Sequence, residues 1–351
     1  MMDEILEIER IRSIAGGFPH APHKINAIHE ADAELVSLGD GHPYLLALTT
    51  DALVEEVSSG LYADPYLIGW MLAMVNFSDL AAVGADPLGL LISVSYAKEN
   101  SSLLSEMARG VRDACQKCKT YVLGGDTNEG ESFFVSGCAA GFVPKTSVVT
   151  RKGAEAGDRL YLTYPAGLGN AFAFWKFSGM KIAFPGSAYT PLARLKEGRI
   201  IRNFAHCCMD TSDGVLHTVD TLMRLNGYRF VLTDEWSKIL HTDVYAFCRS
   251  QKLPPWLALA GVHGEFELVF AVSPQKDKAF LAEARKNDWN PIFLGEVCDG
   301  NGVCIKTCNG VIPLDTAAIR NLSDQAGSDP NDYIDRLIRM SLNSGFGWPE
   351  G

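Results

Sequence analysis

The stretch Asn76-Phe77-Ser78-Asp79-Leu80-Ala81-Ala82-Val83-Gly84-Ala85-Asp86-Pro87 places the amide of Asn76 and the carboxylate of Asp79 inside a strongly apolar segment. The apolar run begins at Leu67 and predicts a buried helix that extends to about Val75. Asp79 then needs a partner, because an unpaired carboxylate is costly to bury, and a bound cation is one candidate. A short following helix that Ser78 caps is the other interpretation, and the sequence leaves both open.

Several other carboxylates follow apolar segments in the same way. Mg²⁺ takes oxygen ligands and usually bridges carboxylates to substrate phosphates, so acidic residues at strand ends are suited to hold it. The glycines before Asp126 favour close approach of backbone to phosphate oxygens. Simpler interpretations remain open, such as a strand end, a Gly-Gly turn, or a helix cap formed by Ser212 or Asp213. The candidates are Asp32, Asp51, Asp79, Asp126 and the pair Asp210 and Asp213.

The order of segments predicts a mixed α/β protein in two halves. The first half alternates strand-like and helix-like segments, with Asp64 and Pro65 opening one helix. A polar and basic stretch, 144–158, then marks a boundary near residue 150. We predict two domains, residues 1–148 and residues 149–325, followed by a C-terminal tail, residues 326–351.

Composition excludes several classes of protein. A net charge of -11 over 351 residues argues against general binding of nucleic acid or anionic membranes. The charged first ten residues do not resemble a signal peptide, and a cytoplasmic location is expected. Nine cysteines fit reduced thiols, and the spacing of Cys115 and Cys118 favours a buried helix face over a zinc site. The common nucleotide-binding loops, GxxxxGK[ST] and GxGxxG, are absent from the sequence.

Together, these segments resemble thiamine-monophosphate kinase, a member of the AIR synthase (PurM-like) superfamily. The 76–87 stretch carries most of the resemblance, and Thr49-Thr50-Asp51-Ala52-Leu53-Val54-Glu55 is similar to a second family motif. Further matches follow in the family's order at Gly124-Gly125-Asp126-Thr127, Arg151-Lys152-Gly153-Ala154 and Asp210-Thr211-Ser212-Asp213-Gly214.

This resemblance implies an ATP- and Mg²⁺-dependent kinase that converts thiamine monophosphate, or a changed small-molecule acceptor, by in-line phosphoryl transfer. It implies an N-terminal α/β domain whose sheet forms a β-barrel with its twin in a homodimer, and a C-terminal α+β domain. Asp213, Asp126 and Arg151 would be catalytic. The implied Mg²⁺ ligands are Asp32, Asp51, Asp79, Asp126 and Asp213, and the implied ATP contacts are Thr50, Gly124, Gly125, Asp126, Arg151 and Ser212.

The sequence departs from the family pattern mainly at two places. Ala31 replaces an acidic residue before Asp32, and Gly264 replaces one in the segment Val262-His263-Gly264-Glu265-Phe266-Glu267-Leu268. Two alternatives therefore stay open: an enzyme of the AIR synthase or HypE type that phosphorylates an amide or carbonyl oxygen, and a nucleotide-binding protein without turnover. No role follows from the sequence for His20, His23 or His263, and Lys24 is expected to be a solvated loop residue.

Overall fold

The computed structural model describes residues 9–14, 21–98, 102–177, 189–326 and 330–343, which form two compact units. The first unit contains Ile8–Thr150 and Thr190–Asn203, and the second contains Arg151–Tyr189 and Phe204–Gly351. His20 lies outside the described residues, as do residues 327–329 and 344–351 of the predicted tail. Among the described residues, no helix combines the length and the apolarity that crossing a membrane requires.

A five-stranded sheet forms the first unit, and its strands follow the order β1-β2-β5-β3-β4. Neighbouring strands are antiparallel except β3 and β4, which are parallel. The elements are α1 (9–14), β1 (Glu34–Ser37), β2 (Tyr44–Ala52), α2 (Val54–Ser58), α3 (Pro65–Ala82), β3 (Asp86–Tyr96), α4 (Leu103–Lys117), β4 (Val122–Glu129) and β5 (Phe134–Pro144).

Helix α3 is the buried helix that the apolar run predicts. Asp64 caps it by accepting a hydrogen bond from the backbone N–H of Tyr66 at 3.1 Å, with Pro65 in the first position, as expected. The helix ends at Ala82 rather than near Val75, so the prediction of its end is wrong. Ser78 is fully buried inside α3 and caps no second helix. The helix-cap interpretation therefore does not explain why the acidic Asp79 follows Ser78.

The predicted burial of Cys115 and Cys118 is confirmed. Cys115 lies on the buried face of α4, and Cys118 ends that helix with its Sγ 3.9 Å from the Sδ of Met74. Burial raises the pKa of Cys115 to about 11 and that of Cys118 to about 12. Both thiols stay protonated at neutral pH and act as small apolar side chains.

A seven-stranded sheet in the order β12-β11-β8-β10-β6-β9-β7 forms the second unit. A cluster of aromatic rings that includes Tyr161, Phe270 and Phe280 packs against it. The elements are β6 (Arg159–Leu162), α5 (Leu168–Phe177), β7 (Ala205–Asp210), α7 (Val215–Asn226), β8 (Arg229–Thr233), α8 (Trp236–Ile239), α9 (Thr242–Gln251), a 3₁₀ turn (Pro255–Leu259), β9 (Leu268–Val272), α10 (Pro274–Lys286), β10 (Ile292–Cys298), β11 (Gly302–Thr307), β12 (Gly310–Leu314), α11 (Thr316–Ala326) and α12 (Pro330–Asn343).

Helix α6 (Leu195–Ile201) belongs to the first unit, although it follows β6 and α5 in the chain. A Cβ at Gly198 would lie 2.2 Å from the carbonyl oxygen of Ala81, so only glycine permits this contact with α3. Arg199 pairs with Asp86 at 2.5 Å, and Arg202 donates to the carbonyl of Gly84 at 2.6 Å. The end of the 76–87 stretch therefore fixes α6.

A buried carboxylate, Asp220 on α7, ties that helix to α11. It accepts hydrogen bonds from Thr316 at 2.6 Å, from Arg224 at 2.8 Å and from Arg320. We expect Asp220→Ala to lower the free energy of unfolding by roughly 3 kcal/mol, because Arg320 would lose its buried counter-charge. Urea unfolding measures this, and Asp332→Ala, which breaks an exposed pair with Arg336, should cost less than about 0.5 kcal/mol.

The same carboxylate gives the stability a pH dependence. Burial alone would raise the pKa of Asp220, but hydrogen bonds from Thr316 and Arg224 and the charges of Arg224 and Arg320 lower it overall. A depressed pKa in the folded state stabilises the fold above the ordinary carboxyl pKa of about 4, and the stabilisation is lost as pH falls through the folded-state value. The destabilisation by Asp220→Ala should shrink in acid, and an unchanged difference between pH 7 and pH 3 would contradict this.

Candidate functional site

The half-buried carboxylate of Asp79 lies in the last turn of α3 and faces β2. The hydroxyl of Thr49 on β2 donates a hydrogen bond to its Oδ2. Asp32, two residues before β1, places a carboxylate oxygen within 4.8 Å of one from Asp79. Since the C-terminal end of a helix is its negative end, two carboxylates here favour a cation between them.

Asn76 pins β2 to α3 one turn before Asp79. Its side chain is fully buried, donates to the carbonyl of Leu72 at 2.9 Å and accepts from the backbone N–H of Asp51 at 3.3 Å. A Cβ at Gly137 on β5 would lie 2.6 Å from its Nδ2, so the glycine makes room for the amide. Neither Thr49 nor Asn76 is among the site residues predicted from the sequence. The signal for Asn76 was present, since it is polar within an apolar run.

The geometry of Asp32 and Asp79 suits Mg²⁺. Oxygen ligands lie about 2.0–2.1 Å from Mg²⁺ in an octahedron, so two of them are roughly 3–4 Å apart, and the carboxylate oxygens of Asp32 and Asp79 lie within 4.8 Å of one another. Thr49 and Asp51 share the α3 side of β2, because alternate residues of a strand face the same side. Thr50 faces the other side, where its hydroxyl donates to the carbonyl of Gly137 at 2.8 Å.

Asp126 does not join this group within one chain. The strand register aligns Asp51 on β2 with Gly137 on β5, then with Ile92 on β3 and then with Gly125 on β4. Asp126 is the next residue on β4. Three steps between strands separate Asp51 from β4 by about 14 Å, and the alternation of side chains points Asp126 to the opposite face. It lies on the exposed edge strand β4, where Asn128 donates to its carboxylate at 2.7 Å.

The two predicted phosphate-binding glycines also lie on β4. Gly125 has a structural reason of its own, since a Cβ there would lie 2.1 Å from the carbonyl oxygen of Ile92 on β3. Gly124 and Gly125 are exposed, as are all residues of this strand. The structure therefore places the Gly-Gly-Asp segment at a sheet edge, separate from Asp32 and Asp79 in the same chain.

In the second unit, the candidates lie in the loop between β7 and α7. Asp210 is buried at the end of β7, and Ser212 donates to its Oδ1 at 3.4 Å. The N-cap of α7 is Gly214, with φ 85°, and no side chain caps the helix, so the cap interpretation of Ser212 and Asp213 is wrong. The side chain of Asp213 is 53% exposed, 3.8 Å from the Nδ1 of His217.

The Arg151 segment is held through its backbone by Asn226 at the end of α7. The amide of Asn226 donates to the carbonyl of Arg151 at 2.8 Å and accepts from the N–H groups of Gly153 and Ala154 at 2.8 and 3.0 Å. This fixes the course of the main chain at Arg151, which is half-buried. Contact of Arg151 with a phosphate stays a prediction.

The segment 262–268 explains the most prominent departure from the family pattern. Glu265 accepts hydrogen bonds from the N–H groups of Gly167 and Gly169, both at 2.8 Å, at the start of α5. A Cβ at Gly264 would lie 1.4 Å from the carbonyl oxygen of Thr211, so no side chain fits there. The change to glycine thus follows from close packing against the β7–α7 loop.

We expect Gly264→Ala to lower the thermal unfolding midpoint by several degrees or to prevent folding, because the backbone at Gly264 or at Thr211 would have to move. Differential scanning fluorimetry measures the effect. Gly227→Ala is a suitable control, because its Cβ would meet no atom within 4 Å and only its φ of 72° costs energy. A Gly264→Ala protein as stable as the control would contradict this contact.

Three further residues singled out in the sequence, Lys24, His263 and His23, make contacts within the protein. Lys24 is not simply solvated as expected, since its Nζ pairs with Glu34 at 2.5 Å. His263 lies close to the ring of Phe177, and burial lowers its pKa to about 4, so it is neutral near pH 7. His23 accepts a hydrogen bond on its backbone carbonyl from Ser37 at 2.7 Å.

Comparisons with known proteins agree with this architecture. The family described as AIR synthase related protein, N-terminal domain, matches residues 30–143. The thiamine-monophosphate kinase of Nitrosopumilus maritimus is 31% identical over 244 residues, which are 68% of this chain and 76% of that protein. The thiamine-monophosphate kinase of Methanocaldococcus jannaschii is 28% identical over 265 residues, which are 71% of this chain and 81% of that protein.

Solved structures share the fold. A protein named AaThiL, complexed with AMPPCP and TMP, superposes with a TM-score of 0.72 at 23% identity, covering 86% of this chain and 93% of that one. A protein from Thermus thermophilus gives a TM-score of 0.74 at 25% identity, with coverage of 89% and 97%. HypE in the HypE–HypF complex gives 0.70 at 17% identity, covering 87% and 98%.

Proposed function

Because this chain belongs to the thiamine-monophosphate kinase family, we propose that it transfers the γ-phosphoryl group of ATP to the phosphate of thiamine monophosphate. The products are thiamine diphosphate and ADP. The observation that carries the proposal is the convergence of Asp32 with Asp79, which lies in the 76–87 family motif, to within 4.8 Å. A phosphoryl-transfer enzyme needs a place where carboxylates can hold a metal ion against phosphates.

In this proposal, Asp32 and Asp79 hold Mg²⁺, and Asp51 lies on the same face of β2 as Thr49. Thr49 keeps the Asp79 carboxylate in one orientation through its hydrogen bond. Asn76 fixes the main chain at Asp51. The bound Mg²⁺ supplies charge neutralisation for the triphosphate. The protein otherwise positions the reactants for in-line attack, which is most of what phosphoryl transfer requires.

The resemblance alone assigns the candidates of the second unit. Arg151 and Ser212 would contact phosphate oxygens, and Asp213 would contribute a metal ligand. The absence of side-chain capping at α7 supports this assignment, since helix formation does not require Ser212 or Asp213. The buried Asp210 is a further candidate, which the resemblance did not assign.

We also propose that the enzyme is a homodimer in which β4 pairs with its twin. Neither sheet closes on itself among the described residues, and β4 is an exposed edge. Large apolar side chains on this strand and beside it are exposed, with Tyr121 73%, Val122 47% and Leu91 46% exposed. An uncovered edge with apolar residues invites pairing with another strand. Pairing would bring the Asp126 carboxylate and Gly124-Gly125 of one subunit toward the site of the other, as their distance from Asp51 in the same chain requires.

An ADP-release assay with Mg²⁺-ATP tests the reaction. We expect turnover with thiamine monophosphate and formation of thiamine diphosphate, detected by chromatography. Turnover only with an amide or carbonyl substrate would support the AIR synthase type of reaction instead. Tight ATP binding without turnover on any acceptor would indicate a nucleotide-binding protein.

A further inference from the structure

A partly open cavity of about 70 Å³ lies within the second unit. Side chains of α5, α9, the 3₁₀ turn and α12 form its walls, and most of them are large and apolar. They include Phe174, Phe177, Phe247, Leu257 and Leu337. An apolar lining favours an apolar ligand over water, and a closed apolar cavity of about 150 Å³ binds benzene. The phosphoryl transfer proposed above does not use this cavity.

The polar groups on its wall are few and uncharged. None of the lining residues that the structure describes carries a carboxylate, an ammonium or a guanidinium group. Asn170 is committed to the main chain, since it donates to the carbonyl of Ala258 at 2.8 Å and accepts from the N–H of His263 at 3.0 Å. The imidazole of His263, held neutral by burial, remains as one group that can bond to a ligand.

One wall of the cavity is joined to the loop that carries the candidate phosphate-binding residues. The N–H of Gly264 donates to the carbonyl of Ser212 at 2.9 Å. A Cβ at Gly214 would lie 2.4 Å from the carbonyl oxygen of Gly261. Segment 261–264 therefore packs directly on residues 211–214. Because this packing is tight, a molecule that fills the cavity and contacts segment 261–264 restricts the motion of residues 211–214 as well.

We propose that this cavity is a binding site for a small uncharged molecule with one aromatic ring and a single hydrogen-bonding group, whose binding steadies the 211–214 loop. Thiamine monophosphate does not fit this description, because its thiazolium is a cation and its aminopyrimidine needs several hydrogen bonds. A charged ligand would lose its hydration without gaining a counter-charge. The ligand of this cavity is thus a different molecule from the proposed acceptor.

Three probes of one shape test the charge requirement: benzyl alcohol, benzylammonium and benzoate. We expect saturable binding of benzyl alcohol to the full-length protein by ligand-observed NMR, and at least tenfold weaker binding of the two ions. Hydrogen exchange of the amides of Gly214 and Gly264 should slow when benzyl alcohol is bound. Equal binding of all three probes, or no saturable binding of benzyl alcohol, would overturn the proposal.

A cavity-filling variant locates the site. Ala173→Leu places a larger side chain in the cavity and should abolish benzyl alcohol binding while basal ADP release is unchanged. Ala282→Leu, on the exposed side of α10, is the matched control and should bind normally. If Ala173→Leu does not fold, Ala258→Val in the 3₁₀ turn gives the same comparison. Unaltered binding in a folded filled variant would place the probe elsewhere and refute the site.

Discussion

Asp79→Asn is expected to lower kcat/KM for Mg²⁺-ATP by roughly 100- to 1000-fold, the range found when a group that stabilises transferring charge is removed. Asparagine keeps the shape of the side chain and can still accept the hydrogen bond from Thr49. It removes the negative charge that, together with Asp32, would hold Mg²⁺. Because Asp79 lies at the negative end of α3, the loss of charge should not destabilise the helix.

Steady-state kinetics over a range of Mg²⁺ concentrations separates a metal defect from a folding defect. Part of the lost activity should return at high Mg²⁺, and the thermal midpoint should stay within a few degrees of that of the unmodified protein. Thr49→Val should cost about 10-fold, as the loss of an orienting hydrogen bond does. Asp40→Asn, in an exposed turn, is the matched control and should change nothing. Unchanged turnover in folded Asp79→Asn would refute the site.

Asp126→Ala is expected to remove Mg²⁺-ATP turnover almost completely and to leave the fold intact. The side chain lies on an exposed strand, so its truncation opens no internal cavity. The register places it about 14 Å from Asp51 and on the other face of the sheet. In the proposed homodimer, its effect on catalysis would act on the site of the partner subunit across the β4 edge.

Mixed dimers test this arrangement directly. If Asp126 acts across the interface, a dimer of one Asp79→Asn and one Asp126→Ala subunit has both defects in one site and an intact second site. Random mixing should restore about one quarter of normal activity, because half of the dimers are mixed and each has one working site of two. Each variant alone stays inactive. No recovery after verified subunit exchange would show that Asp126 acts within its own chain.

The sequence predicted the parts of the site that depend on local pattern. The Asp64-Pro65 start of α3 was readable because capping and proline geometry act within a few residues. Asp79 was identifiable because an acid within an apolar run requires a partner. The mixed α/β character in two halves was predicted from the order of segments and from the family resemblance, and the structure has two sheets with helices.

What the sequence could not reveal depended on contacts between distant residues. The face of β2 on which Thr50 lies is set by pairing with β5, and it turns Thr50 away from Asp79. Likewise, only the register through β5 and β3 shows how far Asp126 is from Asp51. Gly264 looked like the loss of an acidic residue, whereas its close contact with Thr211 is visible only in three dimensions.

The return of residues 190–203 to the first unit limits how this protein can be divided. A fragment cut after Thr150 would lack α6, and the surface of Ala81 and Gly84 that α6 covers would face water. Asp86 would also lose both arginine partners. The two halves therefore cannot be exchanged at residue 150 alone. A chimera that takes its first half from this protein would also need α6 of this protein.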